Sequence, residues 1–112
     1  MGQITTHILD TASGLPAAGV DLSLSVLKDN SWQVLASAVT NSDGRAPELC
    51  SEDNLPAGTY KMHFDTEAYF LAKQSPVFYP WVDIVFKLEA GGQHYHVPLL
   101  LSPFGYSTYR GS

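Results

Sequence analysis

Val20-Asp21-Leu22-Ser23-Leu24-Ser25-Val26 alternates apolar and polar side chains without a break. That is the pattern of a strand with one face in a core and the other toward water. Trp32, Val34, Ala36 and Ala38 repeat the period in the next segment, and Asp29-Asn30-Ser31 between them carries turn chemistry. The two segments are expected to pair as a hairpin. Moving outward, Tyr60, Met62 and Phe64 keep the same period, as do Val82, Ile84, Phe86 and Leu88, and then Tyr95, Val97, Leu99 and Leu101. Ala90-Gly91-Gly92 is expected to close a tight turn between the last two runs. An opening strand over 4–10 and a terminal one over 106–110, entered through Ser102-Pro103-Phe104-Gly105, bring the total to about seven or eight. Ser13-Gly14-Leu15-Pro16, Ser42-Asp43-Gly44 and Leu55-Pro56-Ala57-Gly58 supply turns between them. Short strands at this spacing predict a mainly β, two-sheet antiparallel sandwich. The exception is Thr66–Gln74, where Thr66 can cap a helix, Glu67 suits its first turn, Lys73 its last, and Ser75-Pro76 stops it.

A chain of 112 residues suits one domain over 1–112, and an apolar content of 45% is enough to fill its interior. Charged residues make up only 15%, which suggests that part of the surface is covered by another copy. The net charge of -5 argues against nucleic acid as a partner. No apolar run approaches the roughly 20 residues of a membrane-spanning helix. The lone Cys50 cannot form an internal disulfide, which fits a reducing compartment. No basic-then-apolar leader precedes Ile4, so the expected location is cytoplasmic unless a leader has been removed.

Two strands break the rule that the outer face of a half-buried strand is polar. If Tyr95, Val97, Leu99 and Leu101 face the core, then His94, His96, Pro98 and Leu100 lie opposite. If Ile4, Thr6 and Ile8 form the buried set of the opening strand, Thr5, His7 and Leu9 remain. A face mixing histidine, proline and leucine is one that a partner subunit hides or that lines a cleft. A lone strand histidine is most often just exposed or routinely hydrogen-bonded. Two of four on one semi-apolar face count against that reading for His7 and His96.

His94 and His96 share a face because side chains repeat every second residue, and such pairs can bind zinc, with His7 as a third ligand. No carboxylate or cysteine is placed to finish that shell, so no metal is expected. Cys50 has no histidine near it in sequence, and no glycine-flanked serine elbow appears. What remains is base-assisted attack by water, with a histidine taking the proton. A nearby arginine could hold an anion or steady a developing oxyanion. Arg45 and Arg110 are the only two arginines. Taken alone, Arg45 reads as a solvated loop charge. Tyr109-Arg110-Gly111-Ser112 follows the last strand directly, which suggests a docked end rather than a loose tail.

Thr6-His7-Ile8-Leu9-Asp10, the Asp43-Gly44-Arg45 loop and His96-Val97-Pro98-Leu99-Leu100-Leu101-Ser102-Pro103 resemble the 5-hydroxyisourate hydrolases of the transthyretin-like family. The resemblance runs essentially end to end. Its most specific element is the closing Tyr109-Arg110-Gly111-Ser112, which separates these hydrolases from the hormone carrier transthyretin. The resemblance implies a homotetramer, a dimer of dimers with active sites in the channel between dimers, that uses no cofactor. It implies catalytic roles for His7, Arg45 and His96, and substrate contacts for Tyr109 and Ser112, with Arg110 in the same terminal motif and assigned with them. The small-molecule substrate would be 5-hydroxyisourate, an intermediate of urate breakdown. Two rivals stand beside it: a carrier of a hydrophobic hormone-like ligand, and an adhesive sandwich module with no site.

Overall fold

The computed structural model describes residues 3–50 and 55–111. In chain order the elements are β1 (Ile4–Thr5), β2 (Ile8–Asp10), β3 (Leu15–Pro16), β4 (Asp21–Lys28), β5 (Ser31–Val39), β6 (Gly58–Asp65), α1 (Thr66–Ala72), β7 (Val82–Leu88), β8 (Tyr95–His96), β9 (Leu99–Ser102) and β10 (Gly105–Thr108). The alternating stretch that begins at Val20 becomes the β4–β5 hairpin. Its loop is the pair Asp29 (φ 51°) and Asn30 (φ 63°). Both central residues sit at positive φ, the geometry of a two-residue turn whose twist matches the strands it joins. Antiparallel pairing then extends the hairpin to a four-stranded sheet ordered β5-β4-β6-β7.

The other layer is ordered β10-β9-β2-β3, with β1 paired to β8. β1 and β8 continue β2 and β9, because Val97 N–H donates to the Thr5 carbonyl at 2.9 Å and Leu99 N–H to that of His7 at 2.9 Å. Leu22, Leu24, Met62 and Phe64 from the first sheet meet Ile4, Ile8, Leu99 and Leu101 from the second, and all are buried in one core. The result is a β-sandwich held together by apolar side chains from two inner faces.

Four details depart from expectation. The opening and penultimate strands run parallel, not antiparallel. A period of two is the same in either direction, so the sequence pattern cannot distinguish them. β5 carries a bulge: Leu24 pairs with Ala36 but Ser25 pairs with Val34, leaving Leu35 as the extra residue. Ala36 and Ala38 therefore face the core side while Trp32 and Val34 turn outward, where the Lys61 ammonium lies 4.5 Å from the Trp32 ring centre. The glycines at 91 and 92 do not close a hairpin, since β7 and β8 belong to different sheets and the connection crosses between them. The helix stops at Ala72, and Asp65 rather than Thr66 occupies its N-cap, with no side-chain capping bond. Thr66 is buried and its hydroxyl donates to the Tyr79 carbonyl at 3.2 Å. Gln74 takes φ 56°, while Gln74 N–H bonds the Leu71 carbonyl and Ser75 N–H that of Phe70. That is a Schellman ending, with glutamine where glycine is usual.

Candidate functional site

The parallel pairing of the opening strand with the penultimate one decides which side chains meet. Thr5 is in register with His96 and Leu9 with Leu100. Ile4, Thr6 and Ile8 are buried, whereas Thr5, His7 and Leu9 are half-buried on the opposite face. Across from them, Pro98 is buried and His96 and Leu100 are half-buried, while His94 is exposed. One face of one sheet thus carries His7, His94 and His96 among apolar neighbours.

Arg45 reaches this face through its loop. The Asn41 side-chain oxygen accepts from the Asp43 and Arg45 N–H groups at 2.9 and 3.1 Å, and Asn41 N–H donates to the Arg45 carbonyl at 2.8 Å. This small hydrogen-bonded turn needs Gly44 at φ 73°, a left-handed conformation that a side chain resists. A Cβ at Gly44 would also stand 2.5 Å from the Ile8 carbonyl oxygen. The closeness has a purpose in the fold, because Ile8 N–H donates to the Gly44 carbonyl at 2.9 Å and His7 and Arg45 form an antiparallel bridge. The exposed guanidinium is thereby delivered next to the histidine face.

His96 is the most constrained of the group. Its Nδ1 lies 2.9 Å from the Thr5 hydroxyl, which is also 3.1 Å from His94 Nε2. Gly111 N–H donates to the His96 carbonyl at 2.8 Å, so the chain end packs along the strand. A Cβ on Gly111 would come within 2.6 Å of His96 Cδ2. Burial pushes the imidazole below its ordinary pKa of 6.5, and repulsion by Arg45, His94 and His7 pushes the same way, against an opposing pull from the Thr5 carbonyl. A histidine with a lowered pKa is neutral at cellular pH and has a lone pair to offer.

The tail divides. Thr108 pairs with Leu99 and Gly111 with His96, a register that sets Tyr109 opposite Pro98, and Tyr109 also lines a groove with Tyr95, Val97 and Arg110. Arg110 falls on the side away from the histidine face. Its guanidinium carbon sits 4.4 Å above the Tyr95 ring, and its Nη2 donates to Gln93 Oε1 at 3.3 Å. Tyr95 is core-facing, so the structure does not bring Arg110 together with the histidines. Ser112 lies outside the described residues. Conversely, Thr5 joins the cluster although it is not among the expected site residues, and His94 joins it although it is considered there only as a zinc ligand. Their signal was the shared face, which the period of two already revealed.

A groove of about 500 Å³ lies elsewhere, on the outer face of β4, β5 and β6 beside Asp21, His63 and Asp65. It holds none of the converging groups. His63 there is paired with Asp83 at 2.6 Å. Among the described residues no three histidine, cysteine or acidic side chains cluster in a way that could hold a metal. Chemically, the histidine face offers a neutral imidazole, a second imidazole beside it and a guanidinium, over a half-buried apolar floor. Such a set suits proton transfer next to a developing negative charge.

Comparison with known proteins agrees with this architecture. Residues 4–111 match the HIUase/Transthyretin family. The 5-hydroxyisourate hydrolase of Mus musculus is 50% identical over 111 residues, covering 97% of this chain and 94% of that protein. Among solved structures, sea bream transthyretin in complex with thyroxine superposes with a TM-score of 0.92 at 37% identity, covering 97% of this chain and 94% of that one. Klebsiella pneumoniae 5-hydroxyisourate hydrolase does so with a TM-score of 0.84 at 40% identity, covering 97% and 98%. From fold, register and sequence together, this chain belongs to the HIUase/Transthyretin family.

Proposed function

We propose that the chain hydrolyses 5-hydroxyisourate, with His7, Arg45 and His96 at the reacting bond. The observation that carries this reading is His96 on one half-buried face with His7, with Arg45 bridged to His7 alongside. Backbone likeness alone does not separate hydrolase from carrier, since both kinds of neighbour superpose closely. The side chains do: a carrier of a hydrophobic ligand wants an open channel lined by small residues, not three imidazoles, a guanidinium and Tyr109.

In the mechanism His96 Nε2 takes a proton from water, with His7 as its partner. The oxygen bonds to the ring carbonyl carbon of the substrate, and the carbonyl oxygen becomes an oxyanion facing Arg45. Collapse breaks the carbon–nitrogen bond of the ring amide. The proton held by the imidazolium passes to the departing nitrogen, giving 2-oxo-4-hydroxy-4-carboxy-5-ureidoimidazoline and regenerating the base. Tyr109 and Ser112 shape the pocket around the flat substrate, and Arg110 acts from its place on Tyr95 by holding the terminal motif in position. No metal or organic cofactor takes part. The assembly is a homotetramer, a dimer of dimers, whose contact closes the histidine face into a water-poor channel.

The direct test follows the ultraviolet absorbance of freshly generated 5-hydroxyisourate with and without the protein. A strongly accelerated, catalytic decay supports the reading. A rate equal to the spontaneous one, together with saturable binding of thyroxine, would make the chain a carrier instead.

A further inference from the structure

We propose that Thr5 is a positioning residue that fixes which ring nitrogen of His96 carries the proton, holding it on Nδ1 so that Nε2 stays free to accept one from water. The inference rests on the reading of His96 as the general base and deepens it. A neutral imidazole has two tautomers, and only one leaves a lone pair on Nε2. The other presents Nε2–H and cannot act as a base at that atom. What lies against Nδ1 decides between them.

Thr5 is the direct cross-strand neighbour of His96. Its hydroxyl stands 2.9 Å from His96 Nδ1 and 3.1 Å from His94 Nε2, so one oxygen with one hydrogen serves two rings. If that hydrogen goes to His94 Nε2, the oxygen lone pairs remain for a proton on His96 Nδ1. If it goes to His96 Nδ1 instead, the proton of His96 must sit on Nε2. The second arrangement would leave a proton on His96 Nε2 without a protein acceptor among the described residues, whereas the first gives His96 Nδ1–H the Thr5 oxygen. Thr5 therefore offers Nδ1 an acceptor oxygen, and His94 supplies the acceptor that draws the hydroxyl hydrogen away.

The far edge of the ring is arranged to match. Cδ2, the carbon bonded to Nε2, is the atom that a Cβ at Gly111 would reach at 2.6 Å. Glycine keeps that edge clear of a side chain while its N–H fastens the chain end to the His96 carbonyl. The other groups facing His96 are Arg45 from its loop and His7 from the opening strand, with His94 on its own segment. All three are cationic or can become so, and none is an alternative acceptor as fixed in place as Thr5.

The test combines ring-nitrogen NMR with kinetics on the whole protein. Long-range proton–nitrogen correlation reads the tautomer of each histidine, and His96→Gln identifies the His96 signals by their loss. We expect the wild-type spectrum to place the His96 proton on Nδ1. In Thr5→Val that preference should be lost and kcat should fall about 10- to 100-fold with KM nearly unchanged, the usual scale for losing a group that orients a functional histidine. Thr5→Ser, which restores the hydroxyl, should recover most of kcat. A wild-type proton on Nε2, or Thr5→Val with an unaltered tautomer and kcat, would overturn the inference. Full turnover by His96→Gln would instead remove His96 as the base, while the NMR result still decides whether Thr5 holds the ring.

Discussion

A base that works at neutral pH must be unprotonated there yet close enough in basicity to accept a proton, and the surroundings of His96 meet the first condition. Burial and the charges of Arg45, His94 and His7 all lower its pKa from 6.5. The sign follows directly: the imidazole becomes neutral at a lower pH than a free one, so the acid limb of kcat/KM should turn below 6.5 and activity should be flat at pH 7. Arg45→Ala removes one of the repelling charges. The limb should move upward toward the free-imidazole value, and kcat should fall at every pH through loss of oxyanion stabilisation, by roughly 100-fold or more. A pH–rate profile of both proteins checks the two effects at once. Arg45 also shows where sequence reasoning stops at this scale. Taken alone it is a charge in a turn, and nothing in Asp43-Gly44-Arg45 says that the turn docks on Ile8. The histidines were legible because alternation is a local property. The arginine could be named from the residues only as one of two candidates, and the family resemblance alone joined it to the histidines, because its placement depends on a long-range bridge to His7.

Two glycines separate stability from positioning at the level of the elements. Gly44 sits at φ 73° with a potential Cβ 2.5 Å from backbone. Gly44→Ala should therefore destabilise the protein by more than about 1 kcal/mol, seen as a lowered denaturation midpoint. Gly111 meets a side chain instead, the His96 ring. Gly111→Ala should leave the denaturation midpoint nearly unchanged while turnover drops, because the ring can move aside and lose its alignment. Strand positions, core faces and the helix emerged from the period of two and from Ser75-Pro76. The parallel direction of β1 with β8 did not, since parallel and antiparallel strands alternate identically. The bulge at Leu35 also escaped notice, because Trp32, Val34, Ala36 and Ala38 read as one face until the pairing with β4 slips by a residue. The Arg110 contact with Tyr95 was hidden for a related reason: a tail motif gives residue types but no register.

For the whole molecule, the single chain leaves much apolar surface uncovered. Leu15, Val34, Phe78 and Phe104 are each more than half exposed, and so is Tyr109. With charged residues at 15%, this surface is what a chain hidden by its own copies would show. Light scattering should give a mass near four chains, and dilution or mutation that yields stable monomers should also abolish turnover, because the histidine face would then lie open to water. The central claim is that the imidazoles of the first and penultimate strands act on one substrate molecule. It is tested most directly by the steady-state rate of 5-hydroxyisourate decay with His7→Ala and His96→Ala, each first shown to keep the wild-type assembly and denaturation midpoint. The account predicts turnover reduced about 100- to 10,000-fold in both. Wild-type rates in either variant would contradict it.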